Sequence, residues 1–330
     1  MFLKIRTMQR ICALTLAAAL AAAGSASALF GKKQVPTEPV DGAPIAREIS
    51  ISTYRGIPYR AQFLATDSEG DDMTFAVADA PRKGTVTIDG ADFVYTPDEG
   101  VTGSDSFTYT ATDSAGHVSQ PATVTVSIEK TRSGVTYSDT EGSDAAAAAQ
   151  HLAEAGVFTG AKIGDQYYFE PDKTVSRSEF LAMALETAGR EVTSVTMTGF
   201  CDDEAIPTWS KAYAAAGVAD GIVQGKITDQ GAAFQGGDPI TVNEAATILD
   251  RVLDLGDVDL ETWYADREAV PSWAAQAVGN MEAVSVLSAG SFGSDSLEEP
   301  VTRADAAKML SAARTLLDGE EHSGILGWLK

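Results

Sequence analysis

The chain has 330 residues, of which 44% are hydrophobic, and carries 47 acidic residues against 24 Lys and Arg, for a formal net charge of −23. This length exceeds one ordinary domain and predicts at least two. The strongly acidic balance disfavours nucleic acid and anionic membrane surfaces as partners. An anionic ligand would therefore have to be captured locally, against the mean field of the protein.

Residues 1–28 are predicted to be a secretory signal peptide. Lys4, Arg6 and Arg10 precede an apolar run over residues 11–23, and small residues follow at 25–28. That run is too short to span a bilayer, and no later segment has 18 consecutive apolar residues. We therefore expect a secreted cell-surface or cell-wall protein, cleaved near Ala28 and not inserted in a membrane. Losing three cations changes its net charge from −23 to −26.

Two cysteines are present, and Cys12 would leave with the signal peptide. Cys201 then stands alone, so no internal disulfide is expected. An unpaired thiol of this kind is typically a small buried hydrophobe.

Residues 29–43 contain Pro36 and Pro39 without apolar periodicity, which predicts a linker. Residues 44–130 then alternate apolar and polar residues in short runs punctuated by Gly, Asp and Pro. This pattern predicts an antiparallel β-sandwich. Its seven strands are expected at residues 49–51, 59–64, 73–77, 84–88, 92–96, 106–111 and 122–128.

The segments at residues 67–75, 84–86, 93–97, 103–109 and 113–116 resemble the cadherin-like and Ig-like repeats of bacterial surface proteins. The resemblance implies a spacer or adhesion module, which in some relatives binds calcium. Calcium prefers several hard oxygen ligands, and acids lie in or beside the predicted turns. The candidate ligands are Asp67, Glu69, Asp71, Asp72, Asp105 and Asp113. The alternative is that these acids are simply what tight turns require.

After a short linker at residues 131–136 the chain repeats itself, with units at residues 137–190, 200–255 and 264–318 and a tail at 319–330. Each unit opens on an aromatic-x-Asp motif, at Tyr137, Phe200 and Tyr264. A first helix, a glycine-containing turn, an aromatic and proline loop and a second helix are predicted to follow. The third unit is shorter in the loop, and its Phe292 is not expected to align with the aromatic residues of the others.

The second helix of each unit is preceded by a β-branched residue and a capping motif. The motifs are Ser176 to Glu179, Thr241 to Glu244 and Thr302 to Asp305. Each predicts a capping box, in which the hydroxyl accepts from the N3 amide and the acid reaches back to the N-cap amide. Capping does not require the arginine found at Arg177 and Arg303. The second copy has Val242 at that position.

These three units closely resemble the S-layer homology (SLH) domain. The resemblance implies a mainly α, pseudo-threefold three-repeat bundle whose grooves bind a cell-wall glycopolymer, either a pyruvylated polysaccharide or a modified peptidoglycan. Arginine suits such an anion because its planar fork engages a carboxylate in a bidentate way. The implied anion contacts are Arg177 and Arg303, and the implied groove residues are Asp139, Asp202, Asp266, Trp209, Trp273, Gly160 and Gly225.

Other roles for these residues stay open. The tryptophans could belong to the core, the aspartates could cap helices, and the arginines could form salt bridges. Val242 replaces the motif arginine, and Asp144 stands where the first unit would carry its tryptophan. At most two grooves are therefore expected to be competent.

The expected architecture is a multidomain protein with an Ig/cadherin-like β-sandwich followed by an SLH bundle. The three histidines, His117, His151 and His322, lie outside any catalytic motif, so we expect no enzymatic activity. The predicted function is non-covalent anchoring to a cell-wall glycopolymer or peptidoglycan, with other surface proteins as further partners. The alternative is a calcium-dependent adhesin or S-layer assembly component. No cofactor is expected apart from calcium.

Overall fold

The computed structural model of the protein describes residues 42–264 and 267–323. The predicted signal peptide, almost all of the 29–43 linker, Asp266 and the end of the predicted tail lie outside the described residues. The chain divides into two compact units between Lys130 and Thr131. Within the described ranges, no helix combines the length and apolar character that a membrane span requires.

The first unit is a β-sandwich. One sheet has the strand order β2-β9-β8-β5, the other has the order β3-β7-β6, and β1 pairs with β4. The strands are β1 (Ile45–Ala46), β2 (Ile49–Tyr54), β3 (Tyr59–Gln62), β4 (Ala65–Thr66), β5 (Thr74–Asp79), β6 (Gly84–Asp89), β7 (Asp92–Pro97), β8 (Gly103–Thr112) and β9 (Ala122–Glu129). Alternation along β9 places every second residue, from Ala122 to Ile128, in the core.

All seven predicted strands are confirmed, but one pairing differs from the expected antiparallel pattern. Strand β2 runs parallel to β9, with Ile49 opposite Val124 and Tyr54 opposite Glu129. Parallel neighbours need a long crossover connection, and strands β3 to β8 come between these two strands in the sequence. No hairpin turn sets their relative direction, so the local pattern does not reveal it.

The core of the sandwich is aromatic. Phe63 stacks on Phe75, Phe93 and Tyr109 with ring centroids 4.5 to 5.2 Å apart. The buried Tyr109 hydroxyl also lies 2.6 Å from the carbonyl oxygens of Arg47 and Leu64. Its polar end therefore ties the β1 and β4 segments to the core.

The second unit is mainly helical, with seven α-helices and two short hairpins in its described residues. The elements are α1 (Ala146–Glu154), β10 (Ala161–Ile163), β11 (Gln166–Tyr168), α2 (Arg177–Thr187), α3 (Lys211–Ala219), β12 (Lys226–Thr228), β13 (Gly231–Ala233), α4 (Val242–Leu253), α5 (Leu260–Trp263), α6 (Ala275–Ala283) and α7 (Arg303–Ser323). Helix α7 continues past residue 318 into the segment predicted as a tail.

The three capping boxes are confirmed. In α2 and α4 the hydroxyls of Ser176 and Thr241 accept from the N3 amide, while the N3 glutamate accepts from the N-cap amide. At α7 the Asp305 amide donates to Thr302 Oγ1 at 3.2 Å, and the Thr302 amide donates to Asp305 Oδ2 at 3.3 Å. Each box satisfies two amides that would otherwise lack partners.

The β-branched residues before the three caps meet at the centre of the unit. The Val175 amide donates to the Val301 carbonyl at 2.9 Å, the Ile240 amide to Val175 at 3.0 Å, and the Val301 amide to Ile240 at 2.8 Å. These bonds close a cycle, which we call the central ring. All three side chains are at most 2% exposed.

The helices follow the same cyclic order around the central ring. Helix α3 packs against α2, α6 against α4, and α1 against α7. The first helix of each repeated segment thus lies on the second helix of the preceding segment. Four of the six buried residues of α1 are alanines, whose small side chains allow close approach.

We predict that Ile240→Ala lowers the free energy of unfolding of the second unit by about 2–5 kcal/mol, because it empties a fully buried site at the central ring. The matched control is Ile227→Ala, since Ile227 is 87% exposed and its truncation should change stability by about 0.5 kcal/mol or less. Urea unfolding followed by tryptophan fluorescence measures both, because all four tryptophans lie beyond residue 130. Equal effects of the two substitutions would contradict the assignment of the ring as a core.

Candidate functional site

Two equivalent sites in the second unit bring together six of the nine residues predicted from the sequence as anion contacts or groove residues. Each is built on a turn, and we call them the first and second turn sites. The first turn site comprises Phe169, Glu170, Asp139, Gly160 and Arg303. The second comprises Phe234, Gln235, Asp202, Gly225 and Arg177.

An aspartate clamps the backbone of each turn. The Asp139 carboxylate accepts from the amides of Phe169 at 2.8 Å and Glu170 at 2.7 Å. Asp202 accepts in the same way from Phe234 and Gln235, both at 2.8 Å. These carboxylates bind the turn backbone, and neither caps a helix.

The clamped turns have an unfavourable backbone conformation. Glu170 has φ 56° and Gln235 has φ 54°, a left-handed region that residues other than glycine rarely adopt. Hydrogen bonds from two amides to an ionised carboxylate are stronger than neutral ones. They offset the cost of this conformation, which is of order 1 kcal/mol or more.

Arg177 binds the other side of the second turn. Its Nη1 donates to the carbonyl oxygens of Phe234 at 3.2 Å and Gln235 at 2.8 Å. Its Nη2 donates to both carboxylate oxygens of Glu244, at 2.7 and 2.8 Å. Arg177 is only 7% exposed, so this guanidinium links the start of α2 to the turn and to the cap of α4.

Arg303 plays the equivalent part at the first turn. Its Nη1 donates to the Phe169 carbonyl at 3.0 Å and to Glu170 Oε2 at 2.6 Å, and its guanidinium lies 5.1 Å from the centre of the Phe158 ring. The partner carboxylate differs from that of Arg177, because the Glu170 side chain is 45% exposed. An ion pair with an exposed partner is weaker and easier to exchange.

The charges around Glu244 oppose the effect of its burial. Burial pushes the pKa of Glu244 upward, but Arg177 and Lys226, whose Nζ lies 3.1 Å from Glu244 Oε1, outweigh it. The pKa of Glu244 is therefore lowered, and its ionised form stabilises the fold.

One glycine in each turn site allows the backbone to pack closely. Gly160 has φ 67° and Gly225 has φ 75°, and they precede the hairpins β10–β11 and β12–β13. A Cβ at Gly160 would collide with the Tyr168 carbonyl oxygen, and one at Gly225 would lie 2.8 Å from the Ala233 carbonyl oxygen. Only glycine permits this approach. The third repeat has Ala289 in the place of this glycine, and its described residues form no hairpin.

The third repeat keeps the contact between two aromatic rings, although its loop is shorter. Phe292 stacks on Tyr264 with ring centroids 3.9 Å apart, as Phe169 contacts Tyr137 and Phe234 contacts Phe200. Phe292 therefore makes the equivalent contact, although the sequence does not align it with Phe169 and Phe234. Glu282, on α6, accepts from the amides of Gly290 and Phe292. Sequence alignment missed this acid because it comes from a helix and not from the opening motif; Asp266, the aligned acid, is outside the described residues.

Trp209 and Trp273 are on the surface, with 53% and 56% of their area exposed, so neither is a core residue. Asp144 stands where the first repeat would carry its tryptophan, and its Oδ2 lies 3.1 Å from Lys308 Nζ. Cys201 is also exposed, contrary to the expectation that it is buried. It directly precedes the clamping Asp202, and its Sγ lies 3.7 Å from Thr228 Oγ1.

The predicted calcium ligands of the first unit fall into separate groups. Asp67, Glu69 and Asp71 each offer one oxygen, and these oxygens lie within 4.8 Å of one another. Asp105 instead accepts from the amides of Arg82 and Lys83 and from the Tyr95 hydroxyl, and Asp113 binds His117. These interactions lower the pKa of Asp105 and of Asp113 despite the opposing effect of burial. Asp72 does not belong to the three-carboxylate group.

Comparison with known proteins assigns the first unit. Residues 41–128 match the family model of the bacterial Ig domain, in agreement with the observed sandwich. A search of curated proteins finds no match to this chain.

Solved structures with partial similarity include an endo-fucoidan hydrolase from glycoside hydrolase family 107, at 21% identity and a TM-score of 0.24 over 29% of this chain and 15% of that one. Others are fibronectin(III)-like modules of CbhA from Clostridium thermocellum, at 16% identity and TM-score 0.20 over 27% and 47%, and a variant of the SrpA adhesin from Streptococcus sanguinis, at 18% identity and TM-score 0.22 over 31% and 63%. This chain thus spans only a small part of the first of them.

We predict that Gly160→Ala destabilises the second unit by about 1–3 kcal/mol more than Gly156→Ala. Both glycines have similar φ, 67° and 74°, so the backbone strain of the substitution is matched. Nothing lies within 4 Å of a Cβ at Gly156, whereas a Cβ at Gly160 meets a carbonyl oxygen. Thermal unfolding of the two variants measures the difference, and equal melting temperatures would show that the hairpin does not need glycine for close approach.

We predict that Arg177 and Glu244 couple by about 0.5–3 kcal/mol in a double-mutant cycle with Arg177→Gln and Glu244→Gln at pH 7. The pKa of Glu244 is lowered in the folded protein. Its ionised carboxylate therefore contributes to the free energy of unfolding above its pKa in the unfolded chain, about 4.3, and this contribution is lost as pH falls through its pKa in the folded protein. The coupling should therefore shrink on acidification. A cycle on the more exposed pair Arg314 and Asp318, whose Nη2 and Oδ1 atoms are 2.8 Å apart and whose side chains are 32% and 42% exposed, is the control and should give about 0.5 kcal/mol or less. A pH-independent Arg177 coupling would contradict the ionic assignment.

Proposed function

We propose that the chain is a non-catalytic, exported surface protein whose second unit is a three-repeat SLH bundle that binds a cell-wall glycopolymer, while the Ig-like unit is displayed. The observation that carries this proposal is the pair of equivalent turn sites, each with an arginine donated from the neighbouring segment. The polymer is an anionic one, a pyruvylated polysaccharide or a modified peptidoglycan.

The first turn site is the better anion contact of the two. Binding an anionic sugar at Arg303 exchanges one carboxylate, that of the half-exposed Glu170, for another, so the guanidinium remains paired throughout. The same exchange at Arg177 would separate a bidentate ion pair and disturb Glu244, which also completes the capping box of α4. Breaking an enclosed pair is costly because the remaining charge loses its partner.

The exposed tryptophans supply the apolar part of such a binding surface. Trp209 and Trp273 each leave more than half of their area in solvent, although indole gains free energy when it is covered. The C–H face of a sugar ring is an apolar surface that fits a flat aromatic ring. The first repeat has Asp144 in the equivalent place, so only the second and third repeats offer a tryptophan at this position.

Co-sedimentation tests the proposal. The purified chain from residue 29 onward should sediment with native cell-wall material and remain in solution with wall material stripped of its glycopolymer. Trp209→Ala with Trp273→Ala should weaken binding by about tenfold or more while leaving the melting temperature nearly unchanged, since exposed residues contribute little to stability. Equal sedimentation with native and stripped walls would reject the proposal.

The same assay distinguishes the role of Arg303. Glu170→Gln removes the carboxylate that competes for this arginine and should strengthen binding severalfold. Asp172→Asn is the matched control, because it removes one negative charge from an exposed residue two positions away without touching the ion pair. If both variants gain equally, the gain reflects net charge, and Arg303 is not the anion contact.

A further inference from the structure

The segment predicted as a linker at residues 131–136 is bound to the second unit. It follows β9, which ends at Glu129, and it forms no helix or strand of its own. Arg132 and Ser133 are exposed, whereas Val135 is only 2% exposed. An exposed segment without regular structure is a preferred place for proteolytic cleavage. Whether this segment can be cleaved therefore depends on how its backbone is bound.

One carboxylate of helix α1 binds the backbone of this segment. Glu154 Oε2 accepts from the amides of Arg132 at 2.7 Å and Ser133 at 2.9 Å, and its Oε1 accepts from the Ser133 hydroxyl at 2.6 Å. Burial pushes the pKa of Glu154 upward, but these hydrogen bonds and one from Gln150 outweigh it and lower the pKa. The carboxylate is therefore ionised at neutral pH, and hydrogen bonds to an ionised acceptor are stronger than neutral ones.

Gln150, one turn earlier on α1, completes the contact. Gln150 is 2% exposed, and its Nε2 donates to Glu154 Oε1 at 2.7 Å and to the Val135 carbonyl at 3.3 Å. The opposite orientation of this amide would turn its oxygen toward the Glu154 carboxylate, so the two acceptors fix its orientation. Residues 132–135 are thus held at both ends by α1, and we call them the strap.

The strap engages backbone groups that a protease would have to bind. Extended peptides are recognised through hydrogen bonds to their main chain, and Glu154 already binds the amides of Arg132 and Ser133. The Ser133 amide contains the nitrogen of the Arg132–Ser133 peptide bond. Arg132, the residue that an arginine-specific protease recognises, remains exposed. We propose that the strap shields a cleavage site for an arginine-specific protease at the Arg132–Ser133 bond, and that Glu154 and Gln150 hold it closed.

Cleavage at this site is a hydrolysis. It breaks the bond between the Arg132 carbonyl carbon and the Ser133 nitrogen, while water supplies a hydroxyl group to the carbon and a proton to the nitrogen. The cut separates the Ig-like unit from the second unit. Release of a displayed Ig-like unit from the wall is a consequence that rests on the proposed function, whereas the closed strap does not.

Limited digestion of the purified chain from residue 29 onward with an arginine-specific endoprotease tests the strap. Mass spectrometry measures the rate of cutting after Arg132 and, in the same sample, after Arg190, which is exposed between helices α2 and α3. A synthetic peptide of residues 128–138 gives the rate for the free sequence. Cutting after Arg132 should be at least about tenfold slower in the folded chain than in the peptide, because proteolysis follows the population of the open form.

Glu154→Gln removes the charge that holds both amides and should raise the rate at Arg132, relative to Arg190, by about tenfold. Ser133→Ala, at an exposed position, should raise it severalfold when compared with a peptide carrying the same substitution. The matched control Glu141→Gln removes one charge from an exposed residue and should stay within about twofold of the parent chain. If Glu154→Gln unfolds the chain, both sites are cut faster and Ser133→Ala decides.

Cutting of the parent chain after Arg132 as fast as in the peptide, or an unchanged ratio in both strap variants, would overturn the proposal. Neither result depends on binding to wall material, so the failure of the strap and the failure of the proposed function are distinguishable.

Discussion

The central ring is the interaction on which the second unit depends. Three backbone hydrogen bonds join Val175, Ile240 and Val301 in a cycle, and each residue lies directly before a capped helix. The ring therefore fixes where all three helices begin and how they point. The residue after each cap donates its amide to a loop preceding another ring residue, from Arg177 to Asp238, from Val242 to Glu299 and from Arg303 to Lys173. β-Branched residues suit this position because they favour extended backbone and fill a dry centre.

The positions of the turn sites follow from this frame of three helices that begin at the central ring. Because α2 and α7 start at the ring, Arg177 and Arg303 are delivered to turns that belong to other segments of the chain. Each turn is bound through its amides by an aspartate and through its carbonyls by an arginine. The same groups hold the segments of the bundle together. In the proposed function, the pair between Arg303 and the more exposed Glu170 is the one that an anionic ligand could replace with less disturbance of the bundle.

Local patterns predicted the parts of this structure that local physics controls. Alternation located the strands, and the hydroxyl and acid three residues apart located the helix starts, because neighbouring residues supply both partners of these interactions. The parallel pairing of β2 with β9, the central ring and the clamp by Glu282 join residues distant in sequence, so no single segment displays them. Capping does not explain the two arginines, and their ion pairs with Glu244 and Glu170 join residues too far apart in the sequence for a local pattern to reveal.

Val242 shows that the backbone frame of the helices forms without a cation at this position. Its amide makes the same kind of backbone bond as Arg177 and Arg303, and its helix keeps a complete capping box, yet the cation is gone. The frame thus does not require arginine. In a chain with 47 acids and 24 Lys and Arg, each arginine at the other two positions is paired with an acid, Arg177 with Glu244 and Arg303 with Glu170. Under the proposed function, the affinity of such an arginine for an external anion would depend on how easily its internal partner is replaced, and Glu170 is the more exposed of the two partners.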